Sequence, residues 1–457
     1  MSFKYDQSWF WSIRLAAIDL LTFWGCCVIA IALRQYTFAY IHFAWVDVAL
    51  ITSTCLIGLS IVGGYEAKRD MSTLRYASEH VLAMVAVLFI ILIETYVFST
   101  FNETIKPGRF MLVFGLVLFT PLALSYRYLF SLRVRRDAAK RFVYVIGPRA
   151  LTVSLKTMCR RARFRHPLRM IECKASTEEG RAMEYRTTQE MLSNEMESCE
   201  GVVIDLSRGK PPAEFQQFLL NLNLHQVPVY PVDAFVEAYF YKINLDHVTL
   251  SWALDGTFKA DHHSAYGNLK TLLDIIVAAG ILILLLPVLL VIALAIKLTG
   301  SGPILFKQVR VGRFERPFTL YKFRTMNMVA EENASLYTLK NDQRITRVGQ
   351  VLRRTRVDEL PQLWNVIKGD MSLIGPRAEW DKLVERYKKE IPFYHLRYMV
   401  KPGITGWAQV NYRYGADLRD SFEKLQYDLY YIKHYSPQMD ASIILKTLFT
   451  ILSASGR

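Results

Sequence analysis

Acidic side chains are scarce in this 457-residue chain: 41 Asp and Glu stand against 56 Lys and Arg, a net charge of +15 at neutral pH. Polar surface is scarce as well, because hydrophobic residues make up 52% of the sequence, too much for a wholly soluble protein. Cysteines are few and none forms a Cys-x-x-Cys pair. Cys26, Cys27 and Cys55 lie in apolar runs, Cys159, Cys173 and Cys199 are scattered, and all six read as reduced bystanders. No nucleic-acid motif is present and the basic residues adjoin long apolar runs, which excludes nucleic acid as the partner. What remains is a basic protein in or on an anionic membrane, long enough for two or three domains.

Four apolar segments fill the first third, at about 12–33, 43–62, 81–99 and 110–130. Each is long enough to cross a hydrocarbon core of ~30 Å as a helix. A cleaved secretory signal competes for the first, with Arg14 ahead of it and Ala30-Ile31-Ala32 as a mimic of a cleavage site. Its length, Asp19 within it and the three spans that follow favour an uncleaved anchor. Lys68, Arg69 and Arg75, then Arg133, Arg135, Arg136, Lys140 and Arg141, place the loop between the second and third spans and the end of the fourth in the cytoplasm. Asp19, Asp47 and Glu94 could mark a transport pathway. With no matching set of intramembrane cations, interhelical hydrogen bonds or edge positions are the reading.

From residue 142 the composition turns soluble. Segments 142–146, 201–206 and 227–232 read as strands separated by helical patterns, a small doubly wound, Rossmann-like α/β module over 136–260. Gly147-Pro148-Arg149-Ala150 does not supply the G-x-G-x-x-G turn of a dinucleotide site, so a regulatory or structural role is expected. His262-His263 falls in a polar linker, read as solvated rather than metal-binding. A fifth apolar run, 272–298, contains Pro287 and has Lys270 before it and Lys297, Lys307, Arg310 and Arg313 after it. Positive flanks on both sides, with a proline that breaks a backbone hydrogen bond, predict a re-entrant helix that enters and leaves on one face. Asp274 would then lie at headgroup level.

The densest charge follows. Asp342, Arg344, Thr346 and Arg347 lead through Arg353, Arg354 and Arg356 into Asp358-Glu359-Leu360-Pro361-Gln362, then Gly369-Asp370-Met371-Ser372 and Gly375-Pro376-Arg377. Leu360, Leu363, Trp364 and Ile367 share one helical face, with Pro361 in the first turn and Gly369 as terminator. Asp358 and Glu359 are therefore expected at a helix N-terminus, where the dipole and free N–H groups keep a carboxylate ionised and attract phosphate. An acidic N-cap paired with surface arginines is the plainer alternative.

This stretch, together with Phe306-Lys307-Gln308-Val309-Arg310-Val311-Gly312, Tyr321-Lys322-Phe323-Arg324-Thr325-Met326, Lys401-Pro402-Gly403-Ile404-Thr405-Gly406 and Asp428-Leu429-Tyr430-Tyr431, resembles the bacterial sugar transferases. These are the polyprenyl-phosphate phosphoglycosyl transferases that begin exopolysaccharide, capsule or O-antigen assembly. The resemblance runs from about residue 268 to the C-terminus. Upstream, four spans and an α/β module look like the polytopic branch of that family. It implies four transmembrane helices in 1–135, the Rossmann-like module in 136–260, and in 261–457 a re-entrant helix with a mixed α/β catalytic domain on the cytoplasmic side of the bacterial inner membrane.

The resemblance further implies transfer of a sugar-1-phosphate from a UDP-sugar to undecaprenyl phosphate, with release of UMP. Asp358 matches the family's nucleophile, which forms a covalent phosphosugar intermediate, and Glu359 matches the partner associated with Mg2+. Lys322, Arg353 and Asp428 match other active-site positions. Arg324, Arg354 and Arg377 are phosphate-binding candidates by charge and placement. Membrane lipids are implied partners, and a homodimer is possible. Three departures stand out: Leu286-Pro287 replaces the usual Ser-Pro at the membrane-helix break, Gly375-Pro376-Arg377-Ala378 replaces Gly-Pro-Arg-Pro, and Val410-Asn411-Tyr412-Arg413-Tyr414-Gly415 replaces Val-x-Gly-Arg, which leaves the role of Arg413 open. A transporter or lipid flippase would explain the spans but not the charged stretch. A regulator with a dead catalytic domain would require loss of the Asp-Glu pair.

Overall fold

The computed structural model describes residues 5–33, 45–66, 70–101, 109–138, 140–161, 164, 166–173, 178–195, 198–206, 209, 211–225, 227–248, 265–299, 302–326, 344–412 and 417–452. Lys68, Arg69, His262-His263, Asp342 and Arg413 lie outside them, as does the side chain of Asp47. The chain divides into two compact units, Met1–Phe240 and Tyr241–Arg457.

The first unit opens with α1 (Tyr5–Leu33), α2 (Trp45–Ile61), α3 (Leu74–Phe101) and α4 (Arg109–Ala138). α1 packs on α4 and α2, and α3 packs on α2 and α4. Among the described residues, α1, α3 and α4 are long and apolar enough to cross a membrane, and α2 is apolar over Ala49–Ile61. Exposed Leu21, Phe89, Ile93 and Val117 cover the outside of these helices. Such an inverted surface fits a lipid surround, where apolar side chains cost nothing to expose.

Inside the bundle the expectation about charge needs correcting, because the acidic residues do have a cation. Arg127, fully buried on α4, meets Asp19 of α1 at 2.6 Å. Tyr65 donates to the same carboxylate at 2.8 Å and Tyr126 also bonds it. The arginine sits near the end of the fourth apolar run and its charge is spent on one partner, so the pair fastens two helices together. Glu94 accepts from Thr54 of α2 at 2.8 Å, the interhelical hydrogen bond expected for it.

The α/β part comprises β1 (Phe142–Gly147), α5 (Arg149–Arg161), β2 (Leu168–Glu172), α6 (Glu178–Asn194), β3 (Cys199–Ile204), α7 (Ala213–Leu224), β4 (Val229–Pro231) and α8 (Val232–Phe240). The strands form one parallel sheet in the order β2-β1-β3-β4. β1 is buried on both faces: Tyr144 and Ile146 pack with Leu192, Phe215 and Leu222, while Val143 and Val145 pack with Leu155, Phe235 and Val236. Helices therefore cover both sides, as an all-parallel sheet requires. β2 escapes the sequence pattern because it is a half-buried edge strand carrying Arg169 and Glu172. All six cysteines are free thiols.

The second unit begins with Tyr241, and Ile243 and Leu245 are buried in its core with Val384, Tyr394, Trp407, Leu425 and Leu429. The long helix α9 (Ala265–Leu298) follows, then β5 (Leu305–Val311), β6 (Pro317–Phe323), α10 (Arg347–Thr355), α11 (Gln362–Ile367), β7 (Ser372–Ile374), α12 (Asp381–Glu390), β8 (Gly403–Thr405), α13 (Trp407–Asn411), α14 (Leu418–Lys433) and α15 (Pro437–Leu452). β5 and β6 form an antiparallel hairpin, and β7 and β8 a short parallel pair.

α9 runs as one helix of 34 residues with Pro287, the expected bend, inside it. Its two ends are tied to the same unit. Near the start, the Lys270 ammonium lies 2.9 Å from Asp440, and Asp274 accepts from the Ser372 hydroxyl at 2.5 Å, so Asp274 is buried in an ion-pair network. Near the end, Ile296 packs on Phe323 and Leu352. Between them Ile283, Leu284, Leu290 and Val291 are exposed.

Candidate active site

The site is assembled on three supports. α10 starts at Thr346, whose side chain accepts from the Gly349 N–H at 2.9 Å, and it ends at Arg356, which adopts a left-handed conformation with φ 60°. Gly349 is required there, because a Cβ would come within 2.1 Å of the Thr325 carbonyl oxygen. The left-handed residue redirects the chain into a single 3-10 turn, Val357–Glu359, that carries the carboxylate pair. α11 follows, and its Asn365, fully buried, donates to the Thr319 carbonyl at 2.7 Å and accepts from the Tyr321 N–H at 3.2 Å. That side-chain amide holds β6, and with it Lys322, beside the turn. The third support is the β7–β8 pair, where Gly375 and Gly403 approach so closely that a Cβ on Gly375 would meet the Lys401 carbonyl oxygen at 2.4 Å. This fixes the backbone leading into Arg377.

Glu359 is the hub. Its Oε1 lies 2.9 Å from Arg377, 3.2 Å from Lys322 and 3.8 Å from Arg356. Burial works against its ionisation, but Arg377 and Lys322 outweigh burial and hold it well below the usual carboxylate range. Asp358 is different. It is buried, and its Oδ1 has no hydrogen-bond partner among the described residues. Desolvation and the neighbouring Glu359 charge push its pKa upward, opposed by Lys322, Arg353 and Arg356. Lys322 is in turn lowered by burial, with Glu359 pulling the other way.

The carboxylates lie just before α11, at the helix N-terminus as expected. A helix of six residues has little dipole, so side-chain cations supply most of the field. The predicted apolar face is revised. Leu363 is buried, and Leu360 and Ile367 pack near Ala278 of α9, but Trp364 is half exposed because the helix starts late and turns Asn365 and Val366 inward. Gly369, at φ 83°, ends the helix as expected.

The remaining candidates occupy distinct places. Arg353 donates to the Thr325 hydroxyl at 2.9 Å and faces the site. Arg354 is exposed on α10. Arg324 is buried and donates to the Ile296 carbonyl at 2.9 Å, one of the orphan carbonyls at the end of α9. Asp428, buried on α14, pairs with Arg397 at 2.8 Å, and burial raises its pKa to about 6 despite that arginine. Arg397 also donates to the Arg377 carbonyl at 3.0 Å and to Tyr394 at 2.6 Å, and lies 3.8 Å from Glu379. Asp428 thus reaches the carboxylate pair through Arg397 and Arg377. Sequence reading missed Asn365, Glu379 and Arg397. Charge beside apolar residues could have hinted at Glu379 and Arg397, and nothing in the local pattern hints at the uncharged Asn365.

Among the described residues no third Asp, Glu, His or Cys joins the carboxylate pair, so no all-protein cage exists. Two adjacent carboxylates, one with a buried unpartnered oxygen, do fit Mg2+, which commonly takes one or two carboxylates and completes its shell with water and substrate phosphates.

An apolar bundle joined to a unit with a membrane-length helix and a cation-ringed carboxylate pair defines a membrane protein equipped to receive anionic groups. Comparison gives this class a family. The family described as bacterial sugar transferase matches residues 265–454. A UDP-N-acetylgalactosamine-undecaprenyl-phosphate N-acetylgalactosaminephosphotransferase of Aeromonas hydrophila is 40% identical over 260 residues, 56% of this chain and 60% of that protein. A UDP-glucose:undecaprenyl-phosphate glucose-1-phosphate transferase of Klebsiella pneumoniae is 47% identical over 182 residues, 39% of each chain. An exopolysaccharide production protein of Rhizobium leguminosarum is 41% identical over 191 residues, 40% of this chain and 96% of that protein. The chain belongs to the bacterial sugar transferase family. It aligns with less than two thirds of the Aeromonas and Klebsiella relatives.

Proposed function

We propose that this protein transfers a sugar-1-phosphate from a UDP-sugar to undecaprenyl phosphate through an aspartyl-phosphosugar intermediate on Asp358. The observation that carries the reading is the division of labour in the pair: Glu359 is pinned by Arg377, Lys322 and Arg356, while Asp358 keeps an unpartnered oxygen. The names of the Aeromonas and Klebsiella relatives supply the substrate class.

In this scheme an Asp358 carboxylate oxygen attacks the β-phosphorus of the donor. The bond from that phosphorus to the bridging oxygen breaks, and UMP leaves with its electron pair. A phosphate oxygen of the acceptor then attacks the same phosphorus and frees Asp358. Arg377, Lys322 and Arg353 offset the charge of three mutually repelling anions. Mg2+ held by Glu359 would add charge neutralisation at the diphosphate. Splitting the transfer spares the two large substrates from sharing the site.

The α/β part is read as a Rossmann-like module of regulatory or structural role, and α9 as re-entrant, with the catalytic unit on the cytoplasmic face of the inner membrane. Supporting this are the attachment of both α9 ends to one unit and the positive flanks at Lys270 and Lys297. Cysteines at exposed Leu269 and Lys307 should both be labelled from the cytoplasmic side only, and labelling from opposite sides would refute re-entry.

The mechanism is tested by intact-protein mass spectrometry with UDP-sugar and Mg2+ but no acceptor. About one UMP per site and a retained sugar-phosphate are expected, both abolished in Asp358→Asn, while Glu359→Gln chiefly weakens Mg2+ dependence and rate. An unmodified protein under conditions of proven turnover would leave direct transfer. Lipid-linked sugar formed in detergent, with no compartment to cross, separates the enzyme from a flippase.

A further inference from the structure

A second polar cavity, of about 40 Å3, lies at the start of α9 and shares no residue with the Asp358–Glu359 site. Lys270, Asp274, Arg313, Ser372, Lys401 and Tyr435 are among its lining residues. Part of this charge is settled internally. Lys270 lies 2.9 Å from Asp440 and 3.6 Å from Asp274, Asp274 accepts from Ser372, and Asp440 accepts from Tyr266 at 2.5 Å and Tyr431 at 2.9 Å. Two cations are left over. The Lys401 ammonium has no hydrogen bond or ion pair among the described residues, and the Arg313 Nε is buried without a partner. Burial lowers the Lys401 pKa and the nearby Arg313 charge lowers it further, against the pull of the Asp274 and Asp370 carboxylates, so two cations that bond no carboxylate face one cavity.

We propose that this cavity binds the phosphate group of a membrane lipid, with Arg313 and Lys401 as its ligands. Guanidinium and ammonium donors at one small opening suit a phosphate oxygen cluster, and the volume admits a group larger than one water. A lipid is indicated over a free anion by what adjoins the cavity. The following turns of α9 expose Leu272, Leu273 and Ile276, each about half accessible, an apolar surface along which hydrocarbon chains can lie. The site would fix the depth of α9 in the bilayer independently of the transfer reaction.

The test uses the full chain in neutral maltoside micelles, titrated with phosphatidylglycerol and read by native mass spectrometry, with inorganic phosphate as competitor. One retained lipid is expected that the Arg313→Gln/Lys401→Gln double variant binds at least tenfold more weakly, since a charge-assisted hydrogen bond is worth about a factor of ten or more. Arg313→Lys, which keeps the charge, should retain most of the affinity, and inorganic phosphate at millimolar concentration should displace the lipid. Lys401→Gln alone gives the same readout should the double variant fail to fold. Equal lipid retention by wild type and variants would overturn the proposal, and so would retention of phosphate without lipid.

Discussion

Replacing Arg397 by methionine should destabilise the protein more than any surface change near the site, and more at pH 8 than at pH 5. The guanidinium is buried, bonds Asp428 at 2.8 Å, Tyr394 at 2.6 Å and the Arg377 carbonyl at 3.0 Å, and lies 3.8 Å from Glu379. Removing it strands the buried Asp428 carboxylate and takes one of several cations from the half-buried Glu379, and breaking a buried pair from one side costs about 3–5 kcal/mol. For a unit of this size each kcal/mol shifts Tm by about 2–4 °C, so a drop of roughly 6–20 °C is expected. The pH dependence follows from the sign of the shifts. Asp428 already titrates at about 6, above its unfolded value of ~3.9, so its cost to the folded state is absent at low pH and grows as pH rises through 6. Without Arg397 its pKa climbs further, and Glu379 loses the first of the charges that hold it down. At pH 5 both carboxylates of the variant can take up protons, and the deficit narrows. Differential scanning fluorimetry of the full chain in detergent at the two pH values measures this. A Tm within 2 °C of wild type, or a deficit that widens on acidification, would refute the reasoning.

Adduct formation from UDP-sugar should show an acid limb above the ordinary carboxylate range, because Asp358 must lose a proton that burial and Glu359 help it keep; Arg353→Gln, which removes an opposing charge, should move that limb to still higher pH. Rapid-quench measurement across pH decides it, and an unmoved limb would count against Asp358 as the titrating group. A chain shortened to begin at Tyr241 should be more stable than one beginning at Asp261. The shorter chain loses buried Ile243 and Leu245, worth about 1.5–3 kcal/mol each, and the Tyr241 carbonyl that accepts from Trp407 at 2.9 Å. Equal Tm values for the two would mean that 241–248 is not part of the core.

Much of this was legible in order along the chain. Apolar runs announced α1, α3, α4 and α9, since a helix in lipid needs only length and hydropathy. Short apolar runs separated by helical patterns announced β1, β3 and β4, and the Asp358-Glu359 pair stood out by charge against an apolar background. These are local signals, set by backbone hydrogen bonding and side-chain polarity within a few residues. Tertiary structure alone decided which charges meet. Arg127 finds Asp19 108 residues away, and Arg397 links Asp428 to Arg377. Glu359 is pinned while Asp358 keeps a bare oxygen, though the two are neighbours in sequence. Charge interaction depends on distance and desolvation, and both are fixed only when separate segments pack. Sequence could therefore name the two carboxylates, while only the fold, by ringing one with cations and leaving the other a buried oxygen without a partner, made them different.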